Sequence, residues 1–155
     1  MKFTMSVFLV LGFVSNVFAW SARIVAVSDG DTVTVESETG SERIRIRLYG
    51  IDAPEKRQPN GESARRFVFR FLYQVVEIEP QGKKPDRYGR TIGIVYLPDG
   101  KSLQAALLRA GLAWVWPWYC RECGEWEALQ EEARIAGRGL WADPKPIPPW
   151  EWRRK

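Results

Sequence analysis

Arg43-Ile44-Arg45-Ile46-Arg47-Leu48, followed shortly by Asp52-Ala53-Pro54-Glu55, is the stretch on which the reading of the chain depends. In an extended backbone successive side chains point to opposite faces, so Ile44, Ile46 and Leu48 form an apolar row and the three arginines a polar one. The alternation predicts a half-buried strand with Arg47 on its open, solvent-facing side. Residues 49–61 carry Gly50, Pro54, Pro59 and Gly61 and read as a long loop, which Pro54 stiffens.

The pattern extends in both directions. Residues 22–27 and 32–35 are β-rich runs around the turn Ser28-Asp29-Gly30-Asp31. Residues 62–73 have Ala64, Phe67, Val68, Phe71 and Leu72 at helical spacing, with Arg65, Arg66 and Arg70 opposite. Residues 75–79 and 91–97 read as two more strands. A helix follows, capped by Ser102, with Leu103, Ala106, Leu107 and Ala110 inward and Gly111 as its stop. A last helix covers residues 125–136 and ends at Gly137. Five strands with one helix inserted late and two more at the end fit a small closed barrel with helices packed on it, an α+β fold that is mostly β. The Pro-rich tail, residues 143–155, is expected to be extended, with no regular helix; Trp150 and Trp152 either pack back on the barrel or stay exposed in a solvated terminus, with Arg153, Arg154 and Lys155 available to phosphate.

Composition narrows the chemistry. The chain has 155 residues, 45% of them hydrophobic, enough for one packed core. It has no His, which excludes Ser-His-Asp and Cys-His relays and zinc sites built on imidazole. Acid–base work falls to Asp, Glu, Lys, Tyr or Cys. The formal net charge of +4 suits a polyanionic partner. Met1-Lys2, an apolar run to Phe18 and Val17-Phe18-Ala19 read as a secretory signal peptide, residues 1–19, cut after Ala19. The run is short for a spanning helix, which needs ~20 apolar residues. The expected location is therefore periplasmic or secreted, without stable membrane association.

Four carboxylates fall in the two loops that flank the arginine strand: Asp29 and Asp31, then Asp52 and Glu55. A hard divalent cation takes oxygen ligands and needs neither His nor Cys. Asp-Gly-Asp alone is an ordinary turn sequence. Beside Arg47 and Glu55 it reads either as a salt-bridge network or as a phosphodiester site, where cation and guanidinium offset phosphate charge and Glu activates water.

Asp29-Gly30-Asp31-Thr32-Val33, then Arg47 with Asp52-Ala53-Pro54-Glu55, then Asp86-Arg87-Tyr88-Gly89-Arg90, in this order, resemble the staphylococcal nuclease family over residues 22–141. The resemblance implies a five-stranded OB-type barrel with three packed helices, residues 20–142. It also implies hydrolysis of DNA and RNA, single-stranded or frayed, by a monomer that uses one Ca²⁺ and leaves 3′-phosphates. Asp31 and Asp52 match the calcium carboxylates. Ala53 stands where the type member has a Thr that gives the metal its backbone carbonyl, which Ala also has. Arg47, Glu55 and Arg90 match the catalytic positions, and Arg87 and Tyr88 those that hold a terminal phosphate. Trp118 and Tyr119 lie nearest the residues that frame the nucleotide, although Pro117 blurs the alignment there.

Cys120-Arg121-Glu122-Cys123 departs from the type member. A disulfide, a redox CxxC and part of a zinc site are the three readings; the last lacks further Cys or His ligands. Two other functions compete with a calcium nuclease: a non-catalytic OB-fold module that binds nucleic acid or protein, and a phosphodiesterase restricted to small nucleotides.

Overall fold

A computed structural model describes residues 19–40, 42–120 and 123–154. The expected leader, residues 1–19, lies outside the described residues except for Ala19. The strands are β1 (Trp20–Val27), β2 (Thr32–Ser37), β3 (Arg43–Leu48), β4 (Ile51–Asp52), β5 (Val75–Pro80), β6 (Thr91–Tyr96) and β7 (Trp114–Val115). The helices are α1 (Gly61–Phe69), α2 (Leu103–Arg109), α3 (Gly124–Ile135) and the single turn α4 (Pro149–Trp152). No helix among the described residues is long and apolar enough to cross a membrane.

Five strands close into a barrel in the order β1-β2-β3-β6-β5, with β5 paired back onto β1. All pairings are antiparallel except β3 with β6, where Ile46 lies opposite Thr91. The fold is the OB-type α+β barrel that the sequence implied, with its three expected helices and a fourth short one. Ile24, Val33, Val35, Ile46, Ile78 and Val95 are fully buried, together with Val68 of α1 and Leu103, Leu107 and Leu108 of α2. Burying each such side chain contributes about 1.5–3 kcal/mol. The Ser102 hydroxyl accepts the Ala105 N–H at 3.1 Å, the cap that its position suggested.

Three local readings change. α1 stops at Phe69 rather than running to residue 73, because the chain must reach β1. There the Tyr73 N–H donates to the Ile24 carbonyl at 2.8 Å and the Ile24 N–H to the Gln74 carbonyl at 3.0 Å. Within residues 49–61, Ile51 and Asp52 are not loop but pair with Val115 and Trp114 as β4 and β7. The tail packs back on the barrel through Trp150, one of its two expected placements, but it carries a helical turn that its prolines were expected to forbid. Pro149 occupies the first turn of α4, where its missing N–H loses no helical bond, and Trp150 packs edge-on to Trp114 and Trp118 at 5.9 and 5.6 Å.

Cys120 and Cys123 form a disulfide, with Cα atoms 5.7 Å apart. Loop entropy for so small a ring amounts to about 2 kcal/mol. Reduction, or paired Cys120→Ser and Cys123→Ser replacement, is expected to lower unfolding stability by about that amount and leave the barrel folded, as urea titration followed by circular dichroism would report.

Candidate functional site

The two acidic loops meet because small residues let them. A Cβ added at Gly30 would lie 2.7 Å from the Cβ atoms of both Ala53 and Ala64, so the Asp29–Asp31 turn seats directly on the Asp52 loop and on α1. The Ala53 N–H then donates to Asp31 Oδ2 at 2.8 Å. Asp52 is fixed by its strand pairing with Trp114. Glu55 is held from behind: its N–H donates to Gln58 Oε1 at 3.0 Å, and its carbonyl sits where any Cβ at Gly61 would be, 2.0 Å away.

Arg47 is not on an open face. Only 7% of it is exposed, because β4 and its loop fold over this end of β3. One terminal nitrogen donates to the carbonyls of Leu48 and Ile51, each at 2.8 Å. The other stands 2.9 Å from Asp52 Oδ1 and 3.3 Å from Asp31 Oδ2. Strand alternation separates two faces but does not say which residues a later loop will cover.

Burial pushes the Asp52 carboxyl above its usual range, against the hydrogen bond it accepts from Arg153 and the charge of Arg47. Burial, and next the charge of Asp31, push Asp29 up to about 6. Asp29 Oδ1 accepts the Asp31 N–H at 3.0 Å and so shapes the turn.

Arg90 enters from the start of β6, the strand parallel to β3. Asp86 aligns it: Oδ1 accepts the N–H groups of Tyr88 and Arg90, each at 2.9 Å, and Oδ2 accepts the Arg90 guanidinium at 2.7 and 2.8 Å. The Thr32 hydroxyl lies 3.5 Å from the remaining Arg90 nitrogen and donates to Asp31 Oδ1 at 3.2 Å, linking arginine to carboxylate. The Tyr88 ring is shared by Arg87 and Arg90, with guanidinium carbons 4.8 and 5.1 Å from its centroid.

Although partial burial works against ionisation, the bonds from Arg90 and Tyr88 hold the Asp86 carboxyl below its usual range. A lowered folded-state value contributes stability that is present above the unfolded value near 3.9 and is lost as pH falls through the folded one. Asp86→Asn is therefore expected to weaken the turn at neutral pH and to differ little from the parent in strong acid. Thermal melts across pH would read both effects.

These groups surround one cavity of about 280 Å³, which Asp29, Asp31, Arg47, Asp52, Ala53, Glu55, Arg87, Tyr88 and Arg90 all line. Tyr119 lies in an adjoining hollow of about 600 Å³ with Tyr49, Ile92 and Trp116. Trp118, 65% exposed, lines neither hollow and instead meets Trp150 edge-on. Asp86 and Gln58, to which the sequence reading gave no role, belong to the site, and so do Trp116 and Arg153. For Asp86 the signal was present, an acid four residues before an arginine in a glycine turn. Arg153 had none, since nothing local ties residue 153 to residue 52.

Among the described residues no group of three carboxylate or thiol side chains is arranged, as it stands, to hold a metal ion. Guanidinium groups are drawn in between the acids: Arg47 between Asp31 and Asp52, and Arg153 between Asp52 and Glu55. The donor chemistry nevertheless suits a hard divalent cation, since the buried Asp31 and Asp52 carboxylates reach the same Arg47 nitrogen and are oxygen donors.

The comparisons with known proteins agree with this geometry. The family model described as staphylococcal nuclease homologue matches residues 45–143. An Escherichia coli O157:H7 protein named as an uncharacterized endonuclease is 39% identical over 146 residues, which cover 90% of this chain and 93% of that protein. The micrococcal nuclease of Shigella flexneri is 35% identical over 151 residues, 90% of this chain and 85% of its own. Protein ParB of Escherichia coli is 36% identical over 149 residues, 88% and 82% respectively. The closed barrel, the two acidic loops joined across Arg47 and this likeness along nearly the whole chain lead to one assignment: the chain belongs to the staphylococcal nuclease homologue family.

Proposed function

We propose that the chain is an exported, calcium-dependent nuclease that hydrolyses phosphodiester bonds of DNA and RNA and leaves 3′-phosphate ends. The observation that carries this reading is the gathering of Asp31, Arg47, Asp52, Glu55 and Arg90 about one cavity. Membership of a nuclease family supports the reaction class.

Asp31, Asp52 and the backbone carbonyl of Ala53 would hold the cation, whose chemistry is to offset phosphate charge and lower the barrier by several kcal/mol. Glu55 is the general base: its carboxylate accepts a proton from the attacking water while the new P–O bond forms and the P–O5′ bond breaks. The Arg90 fork, pre-aligned by Asp86, bonds the phosphate oxygens as their charge grows. Arg47 keeps Asp31 and Asp52 together and sets positive charge at the base of the cavity. Arg87 and Tyr88 receive a terminal phosphate, and Tyr119 lies where a base would stack; single or frayed strands suit so open a hollow. Export rests on the leader reading of residues 1–19, and the monomeric state on the resemblance.

The test is incubation of the purified chain with denatured DNA and with RNA, in Ca²⁺ and in chelator, with product ends identified. Cation-dependent cleavage to 3′-phosphates is expected. Salt-sensitive binding without turnover would instead identify a non-catalytic OB module, and cleavage confined to dinucleotides a narrow phosphodiesterase.

A further inference from the structure

The C-terminal segment reaches the site through three independent contacts. Trp150 sits against Trp114 and Trp118. Gln58, whose Oε1 accepts the Glu55 N–H, donates its Nε2 to the Ile147 carbonyl at 2.6 Å. Arg153, just past α4, lies with its guanidinium carbon 5.9 Å from the Trp116 ring centroid, while Arg47 stands 5.6 Å from the same centroid. The segment is thus seated on the catalytic loop at defined points.

What Arg153 does there is specific. One terminal nitrogen donates to Asp52 Oδ2 at 2.7 Å; the other donates to Glu55 Oε1 at 2.7 Å and approaches Asp52 Oδ1 at 3.4 Å. Asp52 Oδ1 is also bonded by Arg47 at 2.9 Å. Both Asp52 oxygens therefore face a guanidinium. A cation coordinated to Asp52 would share those oxygens and the space in front of them with the guanidinium, and a second positive charge this close would repel it. The Asp52 side chain is almost wholly buried, whereas the Arg153 side chain is 40% exposed and can swing outward.

Resting on the cation site proposed above, we propose that Arg153 is a built-in competitor of the divalent cation, occupying the space between Asp52 and Glu55 until the cation displaces it. The C-terminal segment thereby sets the calcium concentration at which the site loads.

The experiment is calorimetric titration of calcium chloride, without nucleic acid, into the full chain and its Arg153→Gln, Arg153→Lys and Asp52→Asn variants. Loss of a charge-assisted pair of bonds predicts binding about ten- to a hundredfold tighter in Arg153→Gln. Arg153→Lys should fall between it and the parent, because a single ammonium cannot span both carboxylates. The calcium concentration giving half-maximal cleavage should fall in parallel. Equal or weaker calcium binding by Arg153→Gln, with Asp52→Asn still losing it, would overturn the competitor and leave the cation site intact. Calcium binding absent from every chain, or unchanged in Asp52→Asn, would overturn the site reading and the competitor with it.

Discussion

Arg47→Ala is expected to lower the unfolding free energy by about 3–5 kcal/mol, the range found when one member of a buried ion pair is removed. The size follows from what the guanidinium leaves behind. Asp31 and Asp52, 7% and 2% exposed, would face each other with no positive charge between them, and the carbonyls of Leu48 and Ile51 would each lose a donor. Urea unfolding measures this directly. A loss under about 1 kcal/mol would mean that water or the neighbouring Arg153 takes over the role, and Arg47 would then not be the centre of the site. Arg47→Lys keeps the charge but cannot reach four acceptors at once, so it should recover part of the stability. Added Ca²⁺ should restore more stability to the Ala variant than to the parent, because the two carboxylates would then have another partner.

Glu55→Gln should reduce kcat by about 10²–10⁴-fold, the usual contribution of a positioned general base, while KM and the melting temperature change little. The substitution preserves shape, and Gln can still accept from Arg153. The carboxylate is also partly exposed, so its neutralisation disturbs no buried charge. A rate within threefold of the parent would remove Glu55 from proton transfer. In that case water activation would have to come from another carboxylate of the cavity.

Which parts of this structure were legible beforehand follows from the range of each signal. Residues 43–48 announced β3 because an alternation of six residues has one extended solution, and Ser102 announced α2 because a cap is a local device. The motif residues Asp31, Arg47, Asp52, Glu55 and Arg90 were readable as a set, and the structure brings them around one cavity. The burial of Arg47 was not readable, since it depends on β4, whose two residues are too few to show any period. The same holds for β7, and with it the pairing that fixes Asp52. The tail misled for a different reason. Four prolines among residues 144–149 suggested an extended chain, but Pro149 begins a helical turn as readily as it forbids one further along. Arg153 is then delivered to the site by packing between parts of the chain about a hundred residues apart, which no window along the sequence contains.

That separation has a consequence for how the protein is made. The bonds from Arg153 to Asp52 and Glu55 span 101 and 98 residues, and the bond from Gln58 to Ile147 spans 89. The barrel strands are all complete by Tyr96, and the segment that carries Ile147 and Arg153 leaves the ribosome only after them. Contacts of such long range close late in folding, because the loop between them must be ordered first. A chain grown only as far as the barrel thus holds Asp52 and Glu55 without the Arg153 guanidinium that later sits between them.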